Sequence, residues 1–273
     1  MSNEAIKNYG KSIRSKLLNI SKKEDVFHQT ILTRFFQERL LYRISQTRYR
    51  DNFYLKGGAL MYAYEKFAAR PTLDIDFLGK NISNEGTSIV AAFKEICSVP
   101  CDEDGVIYDV ENITSQNITE FKDYHGIRLS IPVRMDTISQ VLTMDIGFGD
   151  VVTPSPIDLD YPTLLESLPA VNILAYSLET VIAEKFHAVV DLADQSSRMK
   201  DYYDLYHLLS KENMTVRYYK KLLCIHLRTG ILHMMLTLCF SAMILPTTNK
   251  CKFDGRHSCV KSQRKGKCHS LKL

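Results

Sequence analysis

Apolar residues recur every three or four positions near the start of the chain. Ile13 and Leu17 open this pattern, and Phe35 lies within its continuation. Such spacing is typical of helices that bury one face against a core. We therefore predict helices over residues 4–50, which form an N-terminal helical segment of residues 1–50.

The pattern then changes to short apolar runs separated by turn residues. Phe53-Tyr54-Leu55 predicts a strand that ends at two glycines, and residues 59–69 predict a helix that Pro71 stops. From Leu73 to Leu78, apolar and acidic residues alternate. Alternation with a period of two predicts a strand whose two carboxylates share one face.

Further apolar runs predict the remainder of the core. We expect a short strand at 108–110, a helix over 87–97, and a hairpin made by the runs 127–133 and 141–146. Prolines recur between residues 154 and 169, and they predict a loop-rich connection.

Two helices are predicted beyond these prolines. The first runs from Leu178 to Leu192 with Ser177 as its N-cap, and the second from about residue 199 to residue 209. Short strands between helices indicate the α+β fold class. The expected architecture is a mixed sheet flanked by helices, followed by a helical C-terminal region.

Charge divides the chain into an acidic body and a basic tail. The 273 residues carry a formal net charge of +4. Residues 225–273 contain nine Lys or Arg and one Asp, which leaves the first 224 residues with a net charge of −4. Net charge therefore gives no support to a nucleic-acid-binding surface over the whole body.

Targeting signals and disulfides are not expected. Residues 1–23 are polar and lack the apolar core of a signal peptide, and the most apolar stretch, 231–245, is too short for a standard transmembrane helix. Five of the seven cysteines occur from Cys224 onward, and without a signal peptide we expect reduced thiols. These features predict a cytoplasmic protein that does not bind a membrane.

Lys56-Gly57-Gly58 and the strand with Asp74 and Asp76 are the strongest candidates for chemistry. Glycines lack side chains, so the backbone N–H groups at the start of the following helix can approach a phosphate. Two carboxylates on one face supply oxygen ligands for Mg²⁺ or Mn²⁺. Each feature alone is common in turns or on solvated strands, but their order and spacing together predict a site for a metal and a triphosphate.

Two of four further residues near these motifs have competing interpretations. Arg70 and Thr72 precede the acidic strand and are expected to contact phosphates, and for Arg70 a position at the surface is the alternative. Asp145 lies on the second strand of the hairpin, where it is a third metal ligand or serves the turn at Gly147. Asp150 is interpreted as a turn residue.

Lys185 lies on the apolar face of its helix, four residues after Val181. A buried ammonium group without a partner is costly, so we expect a phosphate beside it. Asp201 shares the inward face of the next helix, and Asp204 lies at the edge of that face. Both acids cap and solvate the helix start, or Asp201 pairs with Lys185 or positions a nucleotide.

Four motifs, taken in order, resemble the AbiEii/AbiGii toxin family of the polymerase-beta-like nucleotidyltransferase superfamily. They are GGAL at 57–60, RPTLDIDF at 70–77, AEKFHA at 183–188 and RMKDYYDL at 198–205. The resemblance implies a nucleotidyltransferase core at residues 51–170 and a helical region at residues 171–223 that completes the active site.

The resemblance also implies an activity. It implies that Asp74 and Asp76 bind Mg²⁺ or Mn²⁺, that Gly57 and Gly58 form the nucleotide-binding turn, and that the substrate is a nucleoside triphosphate. It further implies a bacterial toxin of a toxin–antitoxin or phage-defence pair, with a cognate antitoxin and an acceptor such as the 3′ end of a tRNA or a protein. The predicted catalytic residues are Asp74, Asp76, Asp145, Lys185 and Asp201.

Two departures from the family pattern are visible. Ala59 follows the glycines where the commoner turn has Ser, so backbone groups alone must contact the phosphate. In residues 224–273 the helical pattern weakens and acidic residues nearly vanish, and we hypothesise that a reading-frame shift replaced the native C-terminus. The cysteines of this tail fit no standard zinc motif.

Three functions follow from these patterns. We favour a metal-dependent nucleotidyltransferase. The alternative is a catalytically impaired module of the same fold that binds a nucleotide or a partner, because of the missing Ser and the atypical tail. A nucleotide-sugar glycosyltransferase with an Asp-x-Asp strand is disfavoured, because such enzymes lack the glycine turn and the later Lys and Asp helices.

Overall fold

The computed structural model describes residues 8–119, 125–150, 152, 155–191 and 199–211. All of them fall within one unit, Met1–His226. The predicted tail, residues 224–273, lies outside the described residues. The frame-shift hypothesis and the proposed domain boundaries therefore stay predictions.

Helices cover both ends of the described part of the chain. The helices are α1 (Tyr9–Lys23), α2 (His28–Ser45), α3 (Gly57–Glu65), α4 (Gly86–Cys97), α5 (Leu178–Asp191) and α6 (Met199–Lys211). The predicted N-terminal helical segment is thus two helices, α1 and α2, separated by a turn in which Asp25 has a positive φ of 52°. The helices expected around residues 178–192 and 199–209 are confirmed as α5 and α6.

Strands of the described residues form one mixed sheet. The strands are β1 (Phe53–Lys56), β2 (Asp74–Gly79), β3 (Ile107–Tyr108), β4 (Thr114–Thr119), β5 (His125–Met135), β6 (Ile138–Phe148), β7 (Ile157–Tyr161) and β8 (Val171–Ala175). Their order is β3-β5-β6-β2-β1-β8-β7, with β4 also paired to β5. Neighbours β2 and β6 are parallel, as are β1 and β8, whereas β1 and β2 are antiparallel.

One face of the sheet packs against helices to form the hydrophobic core. Ile75 and Phe77 of β2 point to this face, and both are fully buried. Helix α2 packs against β6, β8 and α4. Helix α4 adds Phe93, whose ring centroid is 5.1 Å from that of Phe53. Burial of each such side chain contributes roughly 1.5–3 kcal/mol to the free energy of unfolding. The opposite faces of β1, β2 and β6 do not face this core, and they carry polar residues.

Helix α2 also buries several of its polar and charged side chains. Arg43 donates to both oxygen atoms of Asp104, at 2.8 and 3.3 Å. Both side chains of this ion pair are almost fully buried, and the Val106 N–H donates to Asp104 as well. This pair is structural, since it joins α2 to the loop before β3.

The prediction of a loop-rich connection between residues 154 and 169 was wrong for residues 157–161, which form β7. Pro156 precedes β7 and Pro162 follows it, and Pro169 precedes β8. The prolines therefore flank the strands, where no ladder hydrogen bond is lost. Strand β4 was also unexpected, because its side chains from Thr114 to Asn117 are exposed on an edge strand and show no apolar alternation.

In the part of the chain that the structure describes, no helix is both long enough and apolar enough to span a bilayer.

Candidate active site

Four charged side chains lie in register across the polar face of the sheet. Asp76 on β2 is opposite Lys56 on β1 and opposite Asp145 on β6. Asp145 is in turn opposite Arg128 on β5. Two carboxylates therefore lie side by side, with a cationic residue on each flank. Asp74, two positions before Asp76, shares this face.

The start of helix α3 is held against Asp76. Gly57 has a positive φ of 65°, and a Cβ atom added there would lie 1.9 Å from Asp76 Oδ2. The backbone N–H of Gly58 donates to the Asp76 carboxylate. A Cβ atom on Gly58 would lie 2.8 Å from Thr72. Both glycines are required because the backbone approaches the acidic strand more closely than any side chain would permit.

The Asp76 carboxylate has an unusual proton affinity. Burial raises the pKa of Asp76 from 3.8 to about 6, and the neighbouring Asp145 charge adds to this effect. The Lys56 ammonium group and the Gly58 N–H act in the opposite direction without cancelling it. A carboxylate in this setting gains by binding a further cation.

Asp145 is engaged by an arginine. Arg128 Nε and Nη2 donate to its two oxygen atoms at 2.7 and 2.6 Å. Such a two-bond contact is the strong geometry of an arginine–carboxylate pair. Asp145 therefore lies beside Asp76 on the neighbouring strand with its charge already balanced by Arg128, and its role as a third metal ligand stays a prediction.

Lys56 connects the sheet to helix α5. Its Nζ atom donates to Asp150 at 2.8 Å and to Glu184 at 3.1 Å. Burial lowers the pKa of Lys56, but the Glu184 and Asp150 carboxylates outweigh this effect and raise it above its ordinary value. Tyr176 donates its hydroxyl hydrogen to Asp150 at 3.0 Å. Asp150, interpreted from sequence as a turn residue, thus anchors a site lysine.

Lys185 forms a second cluster with α6. Its Nζ atom lies 3.2 Å from Asp201 Oδ1 and 2.6 Å from Asp204 Oδ2. Arg70 Nε donates to both oxygen atoms of Asp204, at 3.1 and 3.3 Å. The predicted pairing of Lys185 with Asp201 is present, and Arg70 makes an internal contact and does not simply lie at the surface.

The residues present fit a divalent cation that takes only one or two of its ligands from the protein. Within the described ranges, no group of three or more His, Cys, Asp or Glu side chains is arranged to hold a metal ion. Mg²⁺ is usually bound by one or two carboxylates together with phosphate oxygens and water. Asp74 and Asp76 match that requirement, and the raised pKa of Asp76 marks a carboxylate that a cation would stabilise.

The structure joins most of the predicted site residues into two neighbouring clusters. Asp76, Lys56 and the glycine turn form the first, and Lys185 with its acids and Arg70 form the second. Adjacent residues of α5 connect them, because Glu184 binds Lys56 and Lys185 binds Asp204. Thr72 donates its hydroxyl hydrogen to the Asp74 carbonyl at 3.2 Å.

Several contacts could not be found from sequence. Arg128, Asp150 and Glu184 each bind a predicted site residue from more than fifteen positions away. Such pairs follow from strand register and helix docking and leave no local pattern. The one available signal was the spacing of Asp204, three residues after Asp201, which places both on one side of α6.

Paired aspartates on a sheet face, beside a glycine-started helix and a buried lysine, are compatible with a nucleotidyltransferase. A family model described as nucleotidyl transferase AbiEii toxin, type IV toxin–antitoxin system, matches residues 39–227. The chain belongs to this family of nucleotidyltransferase toxins. The predicted family and fold class are confirmed.

Solved structures resemble the chain at low sequence identity. JHP933 from Helicobacter pylori is 17% identical, with a TM-score of 0.44 and 67% of each chain covered. An antigenic nucleotidyltransferase-like protein from Paracoccidioides brasiliensis is 11% identical, with a TM-score of 0.42, over 76% of this chain and 91% of that one. The antibiotic-resistance factor ANT(2'')-Ia is 13% identical, with a TM-score of 0.40, over 76% and 97%. No curated protein matches the chain.

Proposed function

We propose that this toxin transfers a nucleotidyl group from a nucleoside triphosphate to a hydroxyl group, with Mg²⁺ or Mn²⁺ as cofactor. The observation that carries the proposal is the contact of Asp76 with the start of helix α3. That contact places a carboxylate suited to a cation next to the helix end that favours phosphate. Asp74 and Asp76 would hold the metal, which supplies charge neutralisation of the triphosphate when bound.

The transfer has a simple balance of atoms. The oxygen of the acceptor hydroxyl bonds to the α-phosphorus, and the bond from that phosphorus to the bridging oxygen of the β-phosphate breaks. Pyrophosphate leaves, and the hydroxyl proton passes to a base. Negative charge grows on the departing pyrophosphate, so Lys185 and Arg70 are the cations that we assign to it.

The acceptor is a further part of the proposal. We infer an RNA acceptor, such as the 3′ end of a tRNA, before a protein hydroxyl. We also infer a cognate antitoxin, because the family model describes toxins of type IV toxin–antitoxin systems. A role in phage defence is part of the same proposal. The reaction would take place in the cytoplasm, where nucleoside triphosphates and tRNA are available.

Incorporation of labelled nucleotide tests the proposal. The full chain is incubated with each labelled nucleoside triphosphate in turn, with Mg²⁺ and total tRNA, and label in RNA and in protein is measured. We expect label in RNA for the wild type and none for Asp74→Asn or Asp76→Asn. Asp160→Asn is the matched control, because Asp160 is an exposed acid at the edge of the same sheet. Incorporation by both site variants would show that the metal assignment is wrong.

A nucleotide-binding module without catalysis is the second candidate. It is favoured by the engagement of both Asp145 oxygen atoms with Arg128, which leaves one fewer carboxylate for a two-metal reaction. Binding of nucleoside triphosphate that depends on Mg²⁺, without label in any RNA or protein acceptor, would support this function over transfer.

A further inference from the structure

Asp204 holds two cations from different parts of the chain. Its Oδ2 atom accepts from Lys185 Nζ at 2.6 Å, and Arg70 Nε donates to its Oδ1 atom at 3.1 Å. The Asp204 side chain is only 2% exposed, whereas that of Arg70 is 25% exposed. A buried carboxylate with two cationic partners is a fixed element of the site, since removal of either partner leaves a buried charge.

Three segments of the site meet at this carboxylate. Arg70 lies just before β2, the strand that carries Asp74 and Asp76. Lys185 belongs to α5, and Asp204 belongs to α6. Helices α5 and α6 pack on each other. Asp204 therefore connects helices α5 and α6 to the segment that precedes strand β2.

The contacts also fix the direction of the Lys185 ammonium group. Lysine has three N–H donors, and here two acceptors are provided by Asp201 and Asp204. The contact to Asp204 is the shorter by 0.6 Å, from 2.6 and 3.2 Å. An ammonium group is tetrahedral, so the contacts with Asp201 and Asp204 together set the direction of the third donor, and Asp204 accepts the shorter of the two hydrogen bonds.

We propose that Asp204 is a positioning residue that aims Lys185 and Arg70 together at the triphosphate. This inference rests on the proposed function, because it assigns the triphosphate to the same site. Two carboxylates balance the two cations while the site awaits a substrate. The geometry of the cations is then set before the nucleotide binds, and ordering them costs nothing at the moment of binding.

Asp204→Asn tests the inference, because asparagine keeps the shape and removes the charge. We measure the dissociation constant of the Mg²⁺ complex of each nucleoside triphosphate by calorimetry on the full chain, and the KM and kcat of transfer. We expect nucleotide affinity to fall by about tenfold or more, with the larger change in KM, since a buried charge pair loses one partner. Asp204→Glu, which keeps the charge, should recover part of the affinity.

Asp104→Asn is the matched control. Asp104 is as buried as Asp204 and also pairs with an arginine, Arg43, but it lies outside the site. This variant should lower the midpoint of thermal unfolding and leave nucleotide affinity unchanged. A structural role for Asp204 would give the same result for Asp204→Asn.

The outcomes distinguish a failure of the positioning role from a failure of the proposed function. Wild-type nucleotide affinity in Asp204→Asn overturns the positioning role and leaves the proposed function intact. Absence of nucleotide binding by the wild type overturns the proposed function and the positioning role with it. Should Asp204→Asn fail to fold, Arg70→Gln replaces it as the test. This variant removes one of the two cations that Asp204 positions and keeps the contact of Lys185 with Asp204. Unchanged nucleotide affinity in Arg70→Gln would then refute the inference.

Discussion

The charge of Asp76 is unfavourable in the folded chain. Its pKa is 3.8 ordinarily and about 6 in the fold, mainly because of burial. Between those two values the folded chain binds more protons than the unfolded chain, so the free energy of unfolding falls as pH rises through that window. Above that window, the whole unfavourable contribution of this partly buried charge is present.

Asp76→Asn should therefore stabilise the protein at neutral pH. Without divalent cations, we expect the free energy of unfolding at about pH 7.5 to rise by about 1–3 kcal/mol, and the gain to vanish near pH 4. Urea unfolding at both pH values measures this effect, with Asp160→Asn as control. A less stable Asp76→Asn protein at the higher pH would contradict the assigned burial of the Asp76 charge.

Gly57 is expected to be irreplaceable for reasons of backbone and space. In Gly57→Ala, the positive φ of 65° is strained, and the new Cβ atom would meet Asp76 Oδ2 at 1.9 Å. We expect a loss of about 2 kcal/mol or more in unfolding free energy, measured by urea unfolding. Gly147→Ala is the comparison, because the nearest atom to its Cβ, Lys56 Nζ, is 3.7 Å away. Equal stability of the two variants would contradict the tight contact.

Site residues were predictable from sequence where their spacing along a single strand or helix reveals which face they share. Asp74 and Asp76 alternate on one strand, and Lys185 lies on a helix face that is apolar, so both features follow from periodicity. The partners of these residues were not predictable. Arg128 reaches Asp145 only because β5 and β6 pair in one register, and the register is a property of the hairpin as a whole.

At the scale of the element, helix α5 begins at a cap that sequence analysis identified. The Thr180 N–H donates to Ser177 Oγ at 3.2 Å. Ser177→Ala should cost about 1 kcal/mol of unfolding free energy and leave nucleotide affinity per folded molecule unchanged. Ser15→Ala in the interior of α1 is the control, and we expect it to be neutral. Thermal unfolding compares the two, and an unchanged midpoint for Ser177→Ala would refute the cap.

Strands were predicted well where one face is buried and poorly elsewhere. Strands β1, β2, β5 and β6 alternate buried and partly exposed side chains, which is the pattern that sequence reveals. Strand β4 is an exposed edge strand with no apolar face, so its formation depends on pairing with β5. Strands β7 and β8 were hidden by flanking prolines, although Ile157, Leu159 and Tyr161 alternate with acids.

At the scale of the molecule, every assigned site residue lies between Lys56 and Asp204. The family match ends at residue 227, close to the end of the unit Met1–His226. Deletion of residues 228–273 should therefore leave the thermal midpoint and the affinity for nucleoside triphosphate at wild-type values. Calorimetry on the full and shortened chains measures both. Loss of nucleotide binding on deletion would show that the tail completes the site.

Asp74 and Asp76 are proposed to hold a metal and a nucleotide at the start of helix α3. Crystals soaked with Mn²⁺ and a non-hydrolysable nucleoside triphosphate test it directly, because Mn²⁺ is located by its anomalous scattering. We predict a Mn²⁺ peak within about 2.0–2.3 Å of carboxylate oxygen atoms of Asp74 and Asp76, with the triphosphate beside Gly57 and Lys185. A Mn²⁺ and nucleotide site elsewhere, with both carboxylates free of metal, would refute the assignment of Asp74 and Asp76 as metal ligands.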